Sequence, residues 1–421
     1  MFQFHEEVTS LSEKATALCK ESFQKIEEIT EYNQQKMLKA FIDNAVSENM
    51  FAESTGYGYS DRGRETLDRV FADALGAEDA IVRHQLTCGT HTLAVALFGV
   101  LRSGDTMLCV SGMPYDTIQP VIGITDNDNS EGSLRDFGIN YAQVDLKADG
   151  TLDFDKIESE VKRIQPAMVY IQRSRGYSLR PSISVSEIGK VAEITKKNSK
   201  AVVFVDNCYG EWTEKTEPTE VGADLIAGSL IKNPGGGIAK TGGYIAGKQA
   251  LVEKCAYRFT TPGIGREVGA TLGHTREMFL GAFHAPHAVG EALKTACFCS
   301  ALFHLMGFDT TPGYGEIRHD IIQAVKLTNK ENLIAFCRGL QKGSPIDSFV
   351  VPEPADMPGY DSQVIMAAGA FTLGSTIEIS ADAPLREPFA VWLQGGLNFH
   401  SAKVSVMYAA EEVLKINGKL H

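Results

Sequence analysis

The sequence predicts an α/β protein with a large domain built on a mostly parallel sheet, an N-terminal helical arm and a smaller α+β C-terminal domain. Short apolar runs alternate with helical segments from about residue 80 to 230, as right-handed βαβ units require. Two of these runs, 201–205 and 223–228, are continuous and bounded by turn residues, which is typical of strands buried on both faces. After about residue 310 the strands are grouped near one another, which indicates the second domain.

Length sets the expected domain count. A chain of 421 residues is long enough for two or three domains, each with its own core. We place the helical arm at residues 1–52, the large domain at 53–300 and the small domain at 301–421.

Charge and composition exclude several function classes. The net charge of −13 argues against a surface for nucleic acid or for an anionic membrane. The N-terminus lacks the features of a signal peptide, and no apolar run approaches the ~20 residues of a membrane-spanning helix, so we expect a cytoplasmic protein. The eight cysteines form no CxxC pair, and we expect reduced core thiols and no metal site.

The first 65 residues predict an arm and a loop. Residues 5–47 have helical spacing and are expected to pack on another surface, such as a partner subunit. The stretch TGYGYSDRGRE at 55–65 is compatible with a solvated loop or with a phosphate-binding one, because aromatic and guanidinium groups together can hold a phosphate. A helix over 65–75 follows and ends at Gly76.

Polar residues follow the strands of the predicted sheet. Gly89 and Thr90 open a helix after a strand at 80–83, and such a helix start is an anion site. Tyr115 lies in the turn after a strand at 106–110. Further strands are predicted at 141–146 and 167–172, and the second leads into a basic loop with Arg173, Arg175 and Arg180.

The remaining elements complete the two domains. We predict helices at 153–163, 184–198, 248–259, 283–306, 331–338 and 401–416. We predict strands at 242–247, 348–352, 363–370 and 375–381.

Nucleotide-binding motifs are absent from the sequence. The stretch GGGIAKTGG does not fit a phosphate-binding loop, because Ala239 and Pro234 stand where the pattern needs glycine. A GxGxxG motif after the first strand is also missing.

The ends of the two apolar runs indicate pyridoxal phosphate instead. Asp206 follows the first run, and Ser229 and Lys232 follow the second. Ligands of open α/β sheets bind at the carboxyl ends of the strands, and pyridoxal phosphate needs a Schiff-base lysine and an acidic partner for its ring nitrogen. Since the lysine must become neutral, we expect Lys232 to lie partly desolvated near positive charge.

Several strings of the sequence support a specific resemblance. Asp206-Asn207, Ser229-Leu230-Ile231-Lys232 and Tyr115-Asp116-Thr117 resemble the fold-type-I pyridoxal phosphate enzymes of cysteine and methionine metabolism. The longer strings DNCYGE, GSLIKNPGGG, TTPGIGREVGA and SADAPLREPFAVWLQGG are similar to one bacterial branch, the aluminium-resistance or methionine γ-lyase-like proteins. The resemblance runs from about residue 53 to 400.

The resemblance implies roles for the site residues. Lys232 would be the Schiff-base lysine and proton carrier, Asp206 the partner of the pyridine nitrogen, and Tyr115 the residue that stacks on the ring and protonates the departing sulfur. The implied phosphate ligands are Gly89, Thr90 and Ser229, with Tyr59 and Arg62 from a neighbouring subunit, although the Tyr59–Arg62 spacing is one residue longer than in the wider family and Arg64 is an alternative. Arg386 matches the arginine that binds the substrate carboxylate.

The resemblance also implies the activity. We expect a carbon–sulfur lyase that acts on a sulfur amino acid of the cystathionine, methionine or cysteine type by β- or γ-elimination. The alternatives are another pyridoxal phosphate reaction, such as transamination, decarboxylation or aldol cleavage, and a non-catalytic metal-stress factor that retains the fold. A homodimer with shared sites is expected, and by resemblance a tetramer.

Overall fold

The structure is a computed structural model that describes residues 2–125, 131–356 and 362–420. Its α-helices are α1 (Glu6–Leu18), α2 (Lys20–Asp43), α3 (Arg62–Ala74), α4 (Gly89–Val100), α5 (Gln119–Ile122), α6 (Phe154–Ile164), α7 (Val185–Asn198), α8 (Gln249–Phe259), α9 (Thr275–Leu305), α10 (Lys330–Lys342) and α11 (Phe399–Ile416). Its strands are β1 (Asp79–Arg83), β2 (Thr106–Cys109), β3 (Asn140–Gln143), β4 (Met168–Gln172), β5 (Val202–Asp206), β6 (Leu225–Ser229), β7 (Gly243–Gly247), β8 (Asp309–Thr311), β9 (Gln323–Lys326), β10 (Val364–Ala368), β11 (Ile379–Pro384) and β12 (Ala390–Gly395).

The chain forms two compact units. One consists of Met1–Glu31 with Pro286–His421, and the other of Tyr32–Ala285. The limits between the units fall inside α2 and α9. The domain limits expected at residues 52 and 300 stay a prediction.

The unit Tyr32–Ala285 contains a seven-stranded sheet in the order β1-β7-β6-β5-β4-β2-β3. Strands β2 to β6 pair in parallel, whereas β7 is antiparallel to both of its neighbours, β6 and β1. The predicted mostly parallel sheet is confirmed.

Apolar strands and two closely packed helices build the core of this sheet. All residues of β4 and β6 are buried, as their continuous apolar sequences predict. Helices α4 and α8 pack on each other, and a Cβ at Gly99 would lie 3.0 Å from the Cα of Cys255. The two helices therefore approach more closely than a side chain at position 99 would allow.

The register of the parallel strands brings their carboxyl ends together. Gln172 of β4 is paired with Asp206 of β5, and Asp206 is paired with Ala227 of β6. Ser229 is the last residue of β6. One edge of the sheet thus carries Gln172, Asp206 and Ser229 on adjacent strands.

The second unit contains a five-stranded antiparallel sheet in the order β10-β11-β12-β9-β8. Its core includes side chains from α1, α9, α10 and α11, among them Val8, Phe298, Phe336 and Val406. The predicted α+β character of this part of the chain agrees with these elements.

Three details of the second unit differ from the prediction. Residues 348–352 form no strand, and Phe349 in this segment is 85% exposed. The segment has β-branched residues typical of a strand, but it has no neighbouring strand to pair with. The strand predicted at 375–381 lies at Ile379–Pro384, and β8, β9 and β12 were not predicted. Arg386 lies exposed in the connection between β11 and β12.

Over the described ranges, no helix combines the length and the hydropathy that crossing a membrane would take.

Candidate active site

Lys232 stands three residues beyond the end of β6 and is surrounded by acidic groups. Burial by itself lowers the pKa of its ammonium, but the neighbouring groups outweigh burial and raise this pKa well above its ordinary value. These groups are Cys208, Tyr209, Asp206 and Tyr115. The expectation of positive charge beside Lys232 stays a prediction, since the strongest influences on its pKa among the described residues are burial and these acidic groups.

Asp206 is a buried carboxylate at the end of β5. Its Oδ1 accepts a hydrogen bond from the Cys208 backbone N–H at 3.1 Å, and the Tyr170 hydroxyl lies 3.5 Å from Oδ2. Burial raises the pKa of Asp206, and the positive charge of Lys232 acts in the opposite direction. A protonated ring nitrogen of a ligand would stabilise the ionised form of Asp206 in the same way.

Gly89 leaves an open cradle beside Lys232. A Cβ at Gly89 would lie 3.5 Å from the Sγ of Cys208, 3.5 Å from the Cβ of Ser229 and 3.7 Å from the Nζ of Lys232. Gly89 is the first residue of α4, so the N-terminus of a twelve-residue helix opens at this cradle. The structure thus brings Gly89 together with Ser229 and Lys232, which lie about 140 residues further along the sequence.

The cradle fits the phosphate of pyridoxal phosphate. The Oγ of Ser229 is buried and finds no hydrogen-bond partner among the described residues, so it can donate to a ligand at no cost to the fold. The N-terminus of α4 favours an anion at the same place. The hydroxyl of Thr90, the second residue of α4, is hydrogen-bonded to that of Thr117, with the two oxygens 2.6 Å apart.

Tyr115 is held against the loop that follows β4. Its backbone N–H donates to Oε1 of Gln172 at 2.6 Å. A Cβ at Gly176 would lie 3.2 Å from the Tyr115 ring, so the ring packs directly on this glycine. Gln172 and Gly176 were not singled out in the sequence. Only their position after a strand could have indicated them.

The basic loop after β4 has a structural role. Arg173 is fully buried, donates to Oδ1 of Asn207 at 2.8 Å and to the carbonyl of Gly210 at 2.9 Å, and pairs with Glu214 at 2.8 Å. Arg180 donates to the carbonyl of Gln172 at 2.9 Å. Both guanidinium groups therefore fix the backbone around the strand ends.

The two arginines that the sequence left as alternatives, Arg62 and Arg64, lie in different environments. Arg64 is buried and donates to the carbonyls of Gly58 and Gly269 at 2.8 and 2.9 Å. Arg62 is exposed, and the exposed Tyr59 ring stacks on Tyr57 with centroids 5.4 Å apart. Arg64 is thus occupied within its own chain, whereas Tyr59 and Arg62 face outward.

Glu211 is a buried carboxyl group that the sequence did not single out. The Tyr244 hydroxyl donates to its Oε1 at 2.9 Å, and burial raises its pKa to about 8. A Cβ at Gly228 would lie 2.4 Å from this oxygen, so only glycine fits at that point of β6. Its place five residues after Asp206 was the one sequence signal.

Comparison with known proteins gives the family. The profile described as methionine gamma-lyase matches residues 8–414. The chain belongs to the methionine gamma-lyase family. A crystal structure of a carbon–sulfur lyase involved in aluminum resistance from Clostridium novyi NT is 51% identical, with a TM-score of 0.93, over 97% of this chain and 96% of that one.

Two further matches extend the comparison. The uncharacterized protein YnbB of Bacillus subtilis (strain 168) is 47% identical over 391 residues, which are 93% of this chain and 92% of that protein. The pyridoxal-5'-phosphate dependent protein YhfS from Escherichia coli is 14% identical, with a TM-score of 0.63, over 93% of this chain and 97% of that one, and this likeness concerns the fold alone.

For this methionine gamma-lyase family member, the predicted family, fold type, cofactor and carbon–sulfur lyase class are confirmed. The roles of the individual site residues stay predictions, which the geometry above supports.

Proposed function

We propose that this protein uses pyridoxal phosphate to break a carbon–sulfur bond of a sulfur amino acid by β- or γ-elimination. One observation carries the proposal: the amine of Lys232 and the side chain of Ser229, whose hydroxyl has no partner among the described residues, border the cradle at Gly89. A covalent anchor and a phosphate site are thus adjacent, at the strand ends where α/β proteins bind ligands.

The residues of the site would hold the cofactor as follows. Lys232 would bind its aldehyde group, Asp206 would pair with its ring nitrogen, and the Tyr115 ring would stack on it. Ser229 and the N-terminus of α4 at Gly89 and Thr90 would bind the phosphate. When bound, the cofactor supplies an electron sink for the charge that proton removal leaves on the substrate.

The chain's own side chains move the protons. Lys232 Nζ would accept the α-proton of the substrate, and the acidic groups around it favour the resulting ammonium. The Tyr115 hydroxyl donates a proton to the departing sulfur, so that a thiol leaves. By resemblance, Arg386 provides the guanidinium that binds the substrate carboxylate.

A neighbouring copy of the chain would complete the phosphate site. Because Arg64 is bound to carbonyls of its own chain, we assign this role to the exposed Arg62, together with Tyr59. This assignment implies at least a homodimer, and by resemblance a cytoplasmic homotetramer. The small molecule that we expect the assembled protein to bind is an amino-acid substrate.

The test compares two lysines. Purified wild-type protein should show the visible absorption band of a lysine-bound cofactor and should release a keto acid and a thiol from cystathionine or methionine. Lys232→Ala should lose the band and at least about 1,000-fold of the rate. Lys240→Ala, in which an exposed lysine that pairs with Glu277 is removed, should keep both.

Two results would contradict the proposal. A Lys232→Ala protein that keeps the band and the rate would show that another amine binds the cofactor. Transfer of the amino group to a keto acid, without release of a thiol, would show a transaminase instead.

A further inference from the structure

Tyr209 lies in the turn after β5 in a conformation that few tyrosines adopt. Its φ is +69°, in the left-handed region that residues other than glycine, asparagine and aspartate rarely occupy. Strained residues of this kind persist only where the surrounding structure fixes them, and they are concentrated at functional sites. The Nζ of Lys232 lies over the Tyr209 ring, 4.2 Å from its centroid.

Arg173 fixes this turn from inside the protein. Its Nη1 donates to Oδ1 of Asn207 on one side of Tyr209 and to the carbonyl of Gly210 on the other. The Gly210 backbone N–H also donates to the carbonyl of Asn207 at 2.9 Å. A Cβ at Gly210 would lie 2.5 Å from Cδ of Arg173, so the packing requires glycine there.

We propose that the Tyr209 ring is a positioning group for the Lys232 ammonium and that the buried Arg173 holds the ring in place through the 207–210 turn. The proposal rests on the proposed function and adds two residues to it. It also accounts for the left-handed backbone at Tyr209, because a turn with an ordinary negative φ at this residue would direct the ring away from Lys232.

The ring offers what the acids around Lys232 do not. Lys232 is an ammonium while it carries the substrate's α-proton, and the face of an aromatic ring attracts an ammonium without taking its proton. The titratable groups that face Lys232 come from several elements: the hydroxyl of Tyr209 itself, Asp206 and Cys208 after β5, Tyr115 after β2, and Glu211 in the same segment as Tyr209. All of these can exchange protons, whereas the ring face only orients the amine.

The experiment uses two substitutions that differ in the ring. Tyr209→Phe keeps the ring face, whereas Tyr209→Asn removes it and suits a left-handed backbone. Full-length protein is freed of cofactor, pyridoxal phosphate is added, and the rate at which the visible band grows is measured against pH. This rate follows the neutral fraction of Lys232, so its midpoint reports the stability of the ammonium.

The ring-free variant should attach the cofactor with a midpoint lower by about half to one pH unit, because its ammonium has lost the cation–π contact. Tyr209→Phe should keep the wild-type midpoint. Thermal melts of the cofactor-free proteins verify that both variants are folded.

Two results would overturn the proposal. An unchanged midpoint in Tyr209→Asn would show that the ring does not stabilise the ammonium. An equal shift in Tyr209→Phe would assign the effect to the hydroxyl group. A wild-type protein that does not attach pyridoxal phosphate at Lys232 would instead contradict the proposed function, so the two failures are distinguishable.

Discussion

The stretch from Asp206 to Lys232 and the loop at 55–62 belong to the same compact unit but differ in how completely their own chain surrounds them. The first is bound by buried side chains of its own chain: Asn207 accepts a hydrogen bond from Arg173, which follows the neighbouring strand β4. In the second, Tyr59 is 63% exposed and Arg62 is exposed as well.

The difference shows which parts of the site one chain can provide. The proposed anchor Lys232, the carboxylate of Asp206 and the cradle at Gly89 all lie within one chain. Arg62 and Tyr59 have the kinds of side chain that bind a phosphate, but both lie exposed on the surface of their own chain. Three experiments can break or sharpen this comparison.

Filling the cradle should have the largest effect. In Gly89→Ala the new methyl group makes ordinary contacts of 3.5 to 3.7 Å, so the fold should tolerate it, but it occupies the space of the phosphate. We expect the affinity for pyridoxal phosphate to fall by about 100-fold, or about 3 kcal/mol, in an absorption titration. Gly315→Ala is the control, since nothing lies within 4 Å of its added Cβ. Equal affinities in both variants would place the phosphate elsewhere.

The two arginines should separate stability from binding. Arg64→Ala leaves buried carbonyls without a donor and should destabilise the chain by about 3 kcal/mol in a denaturant titration. Arg62→Ala should leave stability unchanged within about 0.5 kcal/mol and weaken cofactor binding about tenfold in the oligomer. If Arg62→Ala bound the cofactor normally, the neighbouring copy would not supply this residue.

Ser229→Ala should have the smallest effect. The hydroxyl has no partner among the described residues, so its removal should not lower the melting temperature of the cofactor-free protein. Binding of pyridoxal phosphate should weaken about five- to tenfold through the loss of one hydrogen bond to a charged group. Ser300→Ala, which removes a buried hydroxyl bonded to Thr310 and to the carbonyl of Pro312, should instead lower the melting temperature.

The sequence was sufficient for the strand ends of the large sheet. Here the alternation of apolar runs with helical segments supported a parallel sheet, so the residues that follow two of its strands, Asp206 and Ser229, could be placed at the carboxyl ends of adjacent strands. Gly89 could be singled out because it opens a helix directly after a strand.

Tyr209 and Arg173 could not be interpreted in the same way. A tyrosine in a turn has no periodicity, and neither its left-handed φ nor its contact with Lys232 is visible before the chain is folded. The sequence showed Arg173 only as part of a basic loop, yet its partners are the groups of a turn more than thirty residues away. The strand predicted at 348–352 was wrong for a related reason, since a composition typical of strands does not provide a neighbouring strand to pair with.

The antiparallel strand β7 has a consequence for the order in which the protein folds. Strand β1 stands at the edge of the sheet and pairs with β7, which follows Lys232 in the chain. During synthesis on the ribosome, β1 and the adjacent start of α4 therefore have no strand to join until the Lys232 segment has already emerged. The proposed phosphate end of the site is thus made early in synthesis, but it cannot join the sheet through β1 before β7 has been made.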